Sequence, residues 1–227
     1  MRVVVIANGP LLKHPLCEHL VTDNDVIVCA DGGARKALAL GFTPQVVIGD
    51  MDSMEAPLRE QLQEEGCRFV EYPPRKDETD SELAIRYALS LGATEVVMLG
   101  MLGGRIDHTL ANIMLLALPE LGEVKVRLVE GHQEVLLIRD EVVIEGQPGD
   151  RLSLLPLSGH VFGIYTEGLE YPLHDGTLRF GAARGVSNVL TASQARVRVG
   201  KGLLLAVHHC RPPSGYERED LVGGDNG

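Results

Sequence analysis

Two aspartates one residue apart, Asp50 and Asp52, stand where an apolar run ends and the backbone is expected to turn. The run is Gln45 to Ile48, and Gly49-Asp50-Met51-Asp52-Ser53 follows it. Alternate side chains of a strand share a face, so both carboxylates can reach one hard cation such as Mg²⁺. A solvated acidic turn explains the same pair. The choice between these interpretations depends on what the rest of the chain places nearby.

A glycine-bearing segment follows each of two other apolar runs. Ala30-Asp31-Gly32-Gly33-Ala34 ends the run Val26 to Ala30, and Gly103-Gly104-Arg105-Ile106-Asp107-His108 follows the run Glu95 to Leu99. Glycines let a ligand approach the backbone closely, and free amides at a helix start favour a polyphosphate. Helix caps at the two aspartates, and a polar first-turn role for the histidine, are the structural alternatives.

A fourth polar loop, Arg75 to Glu82, precedes a long amphipathic segment. Thr79 with Glu82 fits a capping box, which is a purely structural role. Capping does not require the other charged residues. Lys76 can meet a phosphate, and Asp77 or Asp80 can bind a metal or receive a proton.

The first half of the chain alternates short apolar runs with segments of helical periodicity. We predict strands over Val3 to Ala7, Val26 to Ala30, Gln45 to Ile48, Arg68 to Tyr72 and Glu95 to Leu99. We predict helices over Leu11 to Leu20, Ala34 to Leu40, Ala56 to Glu65, Thr79 to Leu91 and Ile106 to Leu118. This alternation predicts a Rossmann-like parallel sheet, and its functional loops should share the edge at which the strands end.

After Leu121-Gly122 the helical period disappears, and short runs separated by Gly- and Pro-bearing turns predict an antiparallel β-sandwich. The predicted runs are Val124 to Val129, Glu134 to Ile138, Val142 to Ile144, Leu152 to Leu155, Ala195 to Val199 and Gly202 to His208. We therefore predict an α/β domain over 1–125, a sandwich domain over 126–211 and a disordered tail over 212–227.

Composition excludes several classes of protein. The 227 residues, 44% of them hydrophobic, can bury a sizeable core. A net charge of -11 without any basic run disfavours nucleic acid as a partner. The four widely spaced cysteines and the absence of a membrane-length apolar stretch predict a reduced, cytoplasmic protein. His208-His209-Cys210 suggests a metal site, but no further ligands stand at a spacing typical of one. We therefore favour the interpretation that these are polar residues at the end of a strand.

Together the four loops place carboxylates, glycines and basic groups at one sheet edge, as Mg²⁺-assisted phosphoryl or pyrophosphoryl transfer requires. The chain resembles the thiamine pyrophosphokinase family in these loops and in Gly185-Val186-Ser187-Asn188, which occur in the family's order over most of residues 1–208. The resemblance implies transfer of the terminal pyrophosphate of ATP to the hydroxyl of thiamine, which releases AMP. It also implies a homodimer with active sites at the subunit interface, where the second domain helps to hold thiamine.

The resemblance also implies roles for single residues. Asp50, Asp52 and Asp80 would hold Mg²⁺, and Asp80 is our choice for the base that takes the hydroxyl proton. Arg105 and Asp107 would act with them at the nucleotide, and Ser187 and Asn188 would face thiamine. The remaining ATP-site residues are Asp31, Gly32, Gly33, Ser53, Lys76, Asp77, Thr79, Gly103, Gly104, His108 and Asn112.

Some positions depart from the family pattern. Met51 replaces a frequent Phe, Arg35 replaces a frequent Asn, and Met101-Leu102 replaces a smaller pair. The chain has no Trp, so one of Tyr165, Tyr171, Phe162 or Phe180 would have to stack on thiamine. Two alternatives stay open from the sequence: a pyrophosphokinase with another hydroxymethyl acceptor such as a pterin, and a non-catalytic nucleotide-binding module.

Overall fold

The computed structural model describes residues 1–11, 20–52 and 54–211, and they form two compact units. Within the described residues, the first unit is Met1–Gly131 and the second begins at His132. The predicted helix Leu11 to Leu20 falls almost wholly on residues 12–19. That helix, Ser53, Cys17 and the predicted tail over 212–227 lie outside the described residues.

The first unit is built on six parallel strands. They are β1 (Arg2–Ile6), β2 (Val26–Ala30), β3 (Val46–Gly49), β4 (Arg68–Glu71), β5 (Glu95–Leu99) and β6 (Lys125–Glu130), in the sheet order β6-β5-β1-β2-β3-β4. The strands β1, β2, β3 and β5 are buried along almost their whole length, as parallel strands covered on both faces should be. This agrees with the continuous apolar runs in the sequence.

Helices connect these strands. They are α1 (Gly33–Ala39), α2 (Ala56–Glu64), α3 (Asp80–Ser90) and α4 (Ile106–Leu115), and a 3₁₀ turn spans Pro119–Leu121. Thr79 caps α3, because its hydroxyl accepts a hydrogen bond from the Glu82 amide at 3.2 Å. The Glu82 side chain pairs with Arg86. The capping position was therefore predicted correctly, although Glu82 makes a different bond from that of a full capping box.

The second unit is an antiparallel sandwich. Its strands are β7 (Gln133–Ile138), β8 (Glu141–Glu145), β9 (Arg151–Pro156), β10 (Val161–Glu167), β11 (Gly176–Leu178), β12 (Asn188–Val189), β13 (Gln194–Arg198) and β14 (Leu204–His209). They form the sheets β12-β9-β14-β7 and β11-β10-β13-β8. One apolar cluster takes residues from both sheets, including Leu152 and Ala206 from one and Ile164 and Val197 from the other. The predicted fold class is confirmed.

Two details of the sequence interpretation were wrong. The run Val124 to Val129 was assigned to the antiparallel part, but β6 pairs in parallel with β5 and belongs to the first unit. Strands β10, β11 and β12 were not predicted. β10 changes register between Val161 and Ile164 and contains Gly163 at a φ of 64°, and both features interrupt a two-residue period. In the described part of the chain, every helix is too short or too polar to cross a membrane.

Candidate active site

A cavity of about 360 Å³ opens in the first unit, at the edge where the parallel strands end. Its walls are the loops after β1, β2 and β5 and the first residues of α3 and α4. Eight of the residues predicted for the site line it: Asp31, Thr79, Asp80, Gly103, Gly104, Arg105, His108 and Asn112. Segments far apart in sequence therefore bring polar groups to the same space, as expected for loops at one edge of a parallel sheet.

Glycines allow the loops of this edge to approach one another. A Cβ at Gly33 would lie 2.0 Å from the Ile6 carbonyl oxygen, so α1 can begin this close to β1 only with glycine there. A Cβ at Gly32 would meet the Asn8 side chain at 2.6 Å. Gly32 and Gly33 therefore shape the wall beside Asp31, although they do not themselves line the cavity.

Two carboxylates converge beside Gly49 at the end of β3. A Cβ on Gly49 would lie 3.0 Å from the Asp31 Cβ and 3.4 Å from the Asp80 Cγ. Asp31 has a left-handed φ of 41°, and its amide donates to the Ile48 carbonyl at 2.7 Å. Any larger residue at position 49 would therefore displace one of the two acids. Gly49, which directly precedes Asp50, leaves the space in which the Asp31 and Asp80 side chains lie.

Asp50 and Asp52 lie on a turn just beyond β3 and not in the strand itself. Met51 between them is buried at a φ of 61°, and the Asp52 amide donates to Asp50 Oδ1 at 3.1 Å. The prediction that a shared strand face brings the two carboxylates together was therefore wrong. A turn brings the two residues together, and the buried Met51 anchors it. Asp52 is exposed and Asp50 is half-buried.

Lys76 contacts the acidic group of the cavity wall. Its Nζ lies 2.6 Å from Asp80 Oδ1, and the Lys76 side chain is only 12% exposed. This ammonium is therefore held against the carboxylate that begins α3, and that carboxylate lines the cavity. Asp77 is exposed and does not line the cavity.

The start of α4 supplies a second basic group. Arg105 and Asp107 form a bidentate pair, with hydrogen bonds of 3.1 and 2.5 Å, and both side chains are largely exposed. The hydrogen bond from Arg105 lowers the pKa of Asp107 to about 2. Asp107 therefore stays ionised at neutral pH and holds the guanidinium at the cavity mouth.

Asn112 lies one turn further along α4 and is buried. Its Nδ2 donates to the Met101 carbonyl oxygen at 2.7 Å, so it fixes the loop that carries Gly103 and Gly104. Gly103, at a φ of 84°, packs against the Pro10 ring. The sequence interpretation assigned Asn112 to ligand binding. In the structure it reaches the cavity wall and also secures the loop.

Ser187 and Asn188 lie in the second unit. Ser187 has a left-handed φ of 60°, and its amide donates to Ser153 Oγ at 3.0 Å. Asn188 holds the peptide of Tyr171 at two points, since its Oδ1 accepts from the Tyr171 amide at 3.1 Å and its Nδ2 donates to the Tyr171 carbonyl at 2.8 Å. Asn188 therefore fixes a segment that contains Tyr171, a residue that is 67% exposed.

The sequence interpretation missed several residues of the cavity wall: Asn8, Gly9, Pro10, Ser81, Gly100 and Met101. Asn8-Gly9-Pro10 lies one residue beyond β1. Its position after a parallel strand is the same signal that indicated the loops after β2, β3 and β5. The Gly9 amide donates to the Gly100 carbonyl at 2.9 Å, which joins the loops after β1 and β5. No sequence pattern indicates that bond.

Comparison with protein families gives two matches, in the order of the two units. The model described as "Thiamin pyrophosphokinase, catalytic domain" matches residues 17–128. The model described as "Thiamin pyrophosphokinase, vitamin B1 binding domain" matches residues 140–204. Together they span well over half of the chain.

Individual relatives agree with these matches. The chain is 27% identical over 205 residues to thiamine pyrophosphokinase from Bacillus subtilis, covering 89% of this chain and 96% of that protein. The crystal structure of thiamine pyrophosphokinase from Bacillus subtilis superposes with a TM-score of 0.83 at 25% identity, over 92% of this chain and 99% of that one. Thiamin pyrophosphokinase from Candida albicans gives 0.78 at 17% identity, over 92% and 89% of the chains, which shows the fold alone.

A parallel α/β unit with acidic and glycine-rich loops at one edge, followed by an antiparallel sandwich, defines a two-unit α/β enzyme. The two family matches then make the identification specific. The chain belongs to the thiamin pyrophosphokinase family.

Proposed function

We propose that this chain transfers the terminal pyrophosphate of ATP to the hydroxyl oxygen of thiamine, giving thiamine diphosphate and AMP. The observation that carries the proposal is the convergence of Asp31 and Asp80 beside Gly49, on a cavity that also meets Arg105 and two glycine-rich loops. Lys76 contacts Asp80, and the carboxylate oxygens gathered at this edge suit a divalent cation that in turn binds an anionic ligand. Membership of the family supplies the reaction.

The donor groups at this edge suit Mg²⁺, which prefers carboxylate oxygens and keeps several waters. We assign Asp80, Asp50 and Asp52 to it, because Asp80 lies beside Gly49 and the other two occupy the turn that Gly49 begins. When bound, the ion would neutralise phosphate charge and so favour attack at phosphorus.

ATP binding is assigned to the loops around the cavity. The amides that begin α4 and the loop with Gly103 and Gly104 suit phosphate oxygens, since the N-cap residue Arg105 makes no side-chain capping hydrogen bond. Arg105 on the cavity wall and Lys76 beside Asp80 add positive charge. The remaining assigned residues are Asp31, Gly32, Gly33, Ser53, Asp77, Thr79, Asp107, His108 and Asn112.

The transfer moves one proton and exchanges one bond to phosphorus. The thiamine hydroxyl oxygen bonds to the β-phosphorus of ATP, and the bond from that phosphorus to the oxygen bridging the α- and β-phosphates breaks, so AMP leaves. The hydroxyl proton passes to Asp80, our choice of base. Lys76 contacts Asp80 Oδ1 and so fixes the orientation of this carboxylate.

Thiamine is assigned to Ser187 and Asn188 of the second unit, with Tyr171 as a neighbouring aromatic ring.

We also propose a cytoplasmic homodimer whose active sites lie at the interface between subunits. Ile106, Leu110 and Met114 support the dimer, because they recur every four residues on α4 and are exposed by 77%, 51% and 58%. Such an apolar stripe is typical of a covered helix face. Leu110→Lys should shift the protein to monomer in sedimentation, and an unchanged mass would exclude this face.

The reaction is tested by product analysis with purified protein, Mg²⁺-ATP and thiamine. The proposal predicts thiamine diphosphate and AMP in equal amounts. ADP in place of AMP would contradict pyrophosphate transfer. A hydroxymethyl-pterin in a parallel assay tests the acceptor, and turnover of the pterin alone would keep the chemistry but reject thiamine.

A further inference from the structure

A second polar cluster lies in the second unit, among residues to which the proposed reaction gives no role. Asp150, His208 and Cys210 bring their carboxylate, imidazole and thiol atoms within 4.8 Å of one another. Asp150 precedes β9, whereas the other two residues are at the end of β14. No spacing in the sequence indicates a partner for His208 and Cys210. The antiparallel pairing of β9 with β14 brings Asp150, which precedes His208 by 58 residues, next to this histidine.

The His208 ring joins the other two groups. Its Nε2 lies 3.2 Å from Asp150 Oδ2, and its Nδ1 lies 3.6 Å from Cys210 Sγ. The His208 ring is almost fully buried, and so is Asp150, while Cys210 is half-buried. The imidazole therefore has one nitrogen directed to a buried carboxylate and the other directed to a sulfur that solvent can reach.

Backbone amides donate hydrogen bonds to both carboxylate oxygens of Asp150. Oδ2 accepts a hydrogen bond from the Gln147 amide and Oδ1 accepts one from the Arg211 amide, each at 2.8 Å. These bonds fix the carboxylate, and the carboxylate in turn fixes the orientation of His208. A histidine that ligates a metal commonly donates its other ring N–H to a carboxylate in this way.

We propose that His208 Nδ1 and Cys210 Sγ bind a borderline-soft divalent cation of the zinc class, with Asp150 as the carboxylate that orients His208. A tetrahedral zinc ion with ordinary Zn–N and Zn–S bonds separates the two ligand atoms by about 3.6 Å, the distance found here. Binding displaces the thiol proton of Cys210 to solvent. Water completes the coordination, so the affinity should be lower than that of a four-ligand structural site.

This site differs in donor chemistry from the acidic edge of the first unit. Carboxylates alone suit Mg²⁺, whereas a thiolate with an imidazole selects zinc-like ions. The two sites can therefore be measured separately in one protein, and failure of either proposal leaves the other intact.

The test is a cobalt titration of the full-length, reduced, metal-free protein with excess Mg²⁺ present. Thiolate ligation gives a sulfur-to-cobalt charge-transfer band that carboxylate sites lack. We expect this band in the wild type, its loss in Cys210→Ser and its displacement by Zn²⁺. It should persist in the matched controls Cys17→Ser, Cys67→Ser and His209→Gln. Asp150→Asn should weaken cobalt binding by about tenfold or more.

A measurement on the unmutated protein makes the result independent of whether variants fold. Zn²⁺ should slow the alkylation of Cys210 and leave the rates at the other cysteines unchanged. Mass spectrometry of the peptide that contains each cysteine measures these rates. The proposal is wrong if the wild type shows no charge-transfer band, if the band survives Cys210→Ser in a folded variant, or if Zn²⁺ leaves alkylation of Cys210 unchanged.

Discussion

Two aspartates at opposite ends of β2 have opposite surroundings. Asp25, before the strand, is buried and receives hydrogen bonds from Arg2 Nε and Nη2 at 2.8 and 2.6 Å and from the Thr22 amide at 2.7 Å. Asp31, after the strand, lies beside a second carboxylate, Asp80. At the amino edge an arginine binds a single acid through two nitrogens, whereas the carboxyl edge brings two acids together and Lys76 contacts one of them. We therefore expect Asp25 to contribute to stability and the carboxyl edge to bind the ligand.

The largest expected effect is on turnover at the carboxyl edge. Asp80→Asn removes the proposed base and one charge beside Gly49, so the rate of AMP formation should fall by about 10²- to 10⁴-fold. The melting temperature should change little, because relief of the repulsion with Asp31 opposes the loss of the Lys76–Asp80 ion pair. Glu78→Gln, which removes an exposed charge two residues away, is the control and should retain activity. Equal activity of the two variants would remove Asp80 from the mechanism.

Asp50→Asn and Asp52→Asn test the turn beyond β3. Each should lower turnover by about 10²-fold or more if these carboxylates help to hold Mg²⁺. The Mg²⁺ concentration for half-maximal rate should rise as well, and circular dichroism should show an intact fold. Unchanged rates would mean that the pair is only a solvated turn.

Asp25→Asn tests the amino edge and should have the opposite pattern. The substitution leaves the Arg2 guanidinium without its carboxylate, so the free energy of unfolding should fall by about 1–3 kcal/mol in urea denaturation. Turnover per folded molecule should stay at the wild-type value. The exposed Asp23→Asn is the control for charge. Loss of activity in a folded Asp25→Asn protein would break the proposed division between the edges.

The same ion pair predicts a smaller effect of pH. Burial raises the pKa of Asp25, but the hydrogen bonds from Arg2 and Thr22 outweigh it, so the pKa lies below its ordinary value. A lowered pKa means that the contribution to stability is complete above about pH 4 and declines as the pH falls through the folded-state pKa. The difference in unfolding free energy between wild type and Asp25→Asn should therefore be constant near neutrality and shrink below about pH 4. A difference that grows in acid would contradict this pairing.

The sequence predicted the features that depend on local pattern. Buried parallel strands read as continuous apolar runs, so β2 and β5 were placed with their observed bounds. Thr79 was recognised as a cap for the same local reason. The interpretation of β6 was wrong, because an apolar run does not reveal which neighbour it will pair with.

Long-range contacts at the site were not predictable in the same way. The approach of Asp31 to Asp80 depends on the absence of a side chain at Gly49, and the Gly9–Gly100 bond joins loops 91 residues apart in sequence. The partnership of Asp150 with His208 depends on the register of β9 against β14. Each of these is set by tertiary packing and leaves no spacing signal.

The most direct test of the carboxyl edge as the ligand site is calorimetric titration with an unreactive ATP analogue, in the presence and absence of Mg²⁺. We expect binding that requires Mg²⁺, that Asp80→Asn weakens and that Asp25→Asn leaves unchanged. Thiamine added to the analogue-bound protein should then bind as well. Analogue binding of equal affinity in all three proteins, with or without Mg²⁺, would contradict the account.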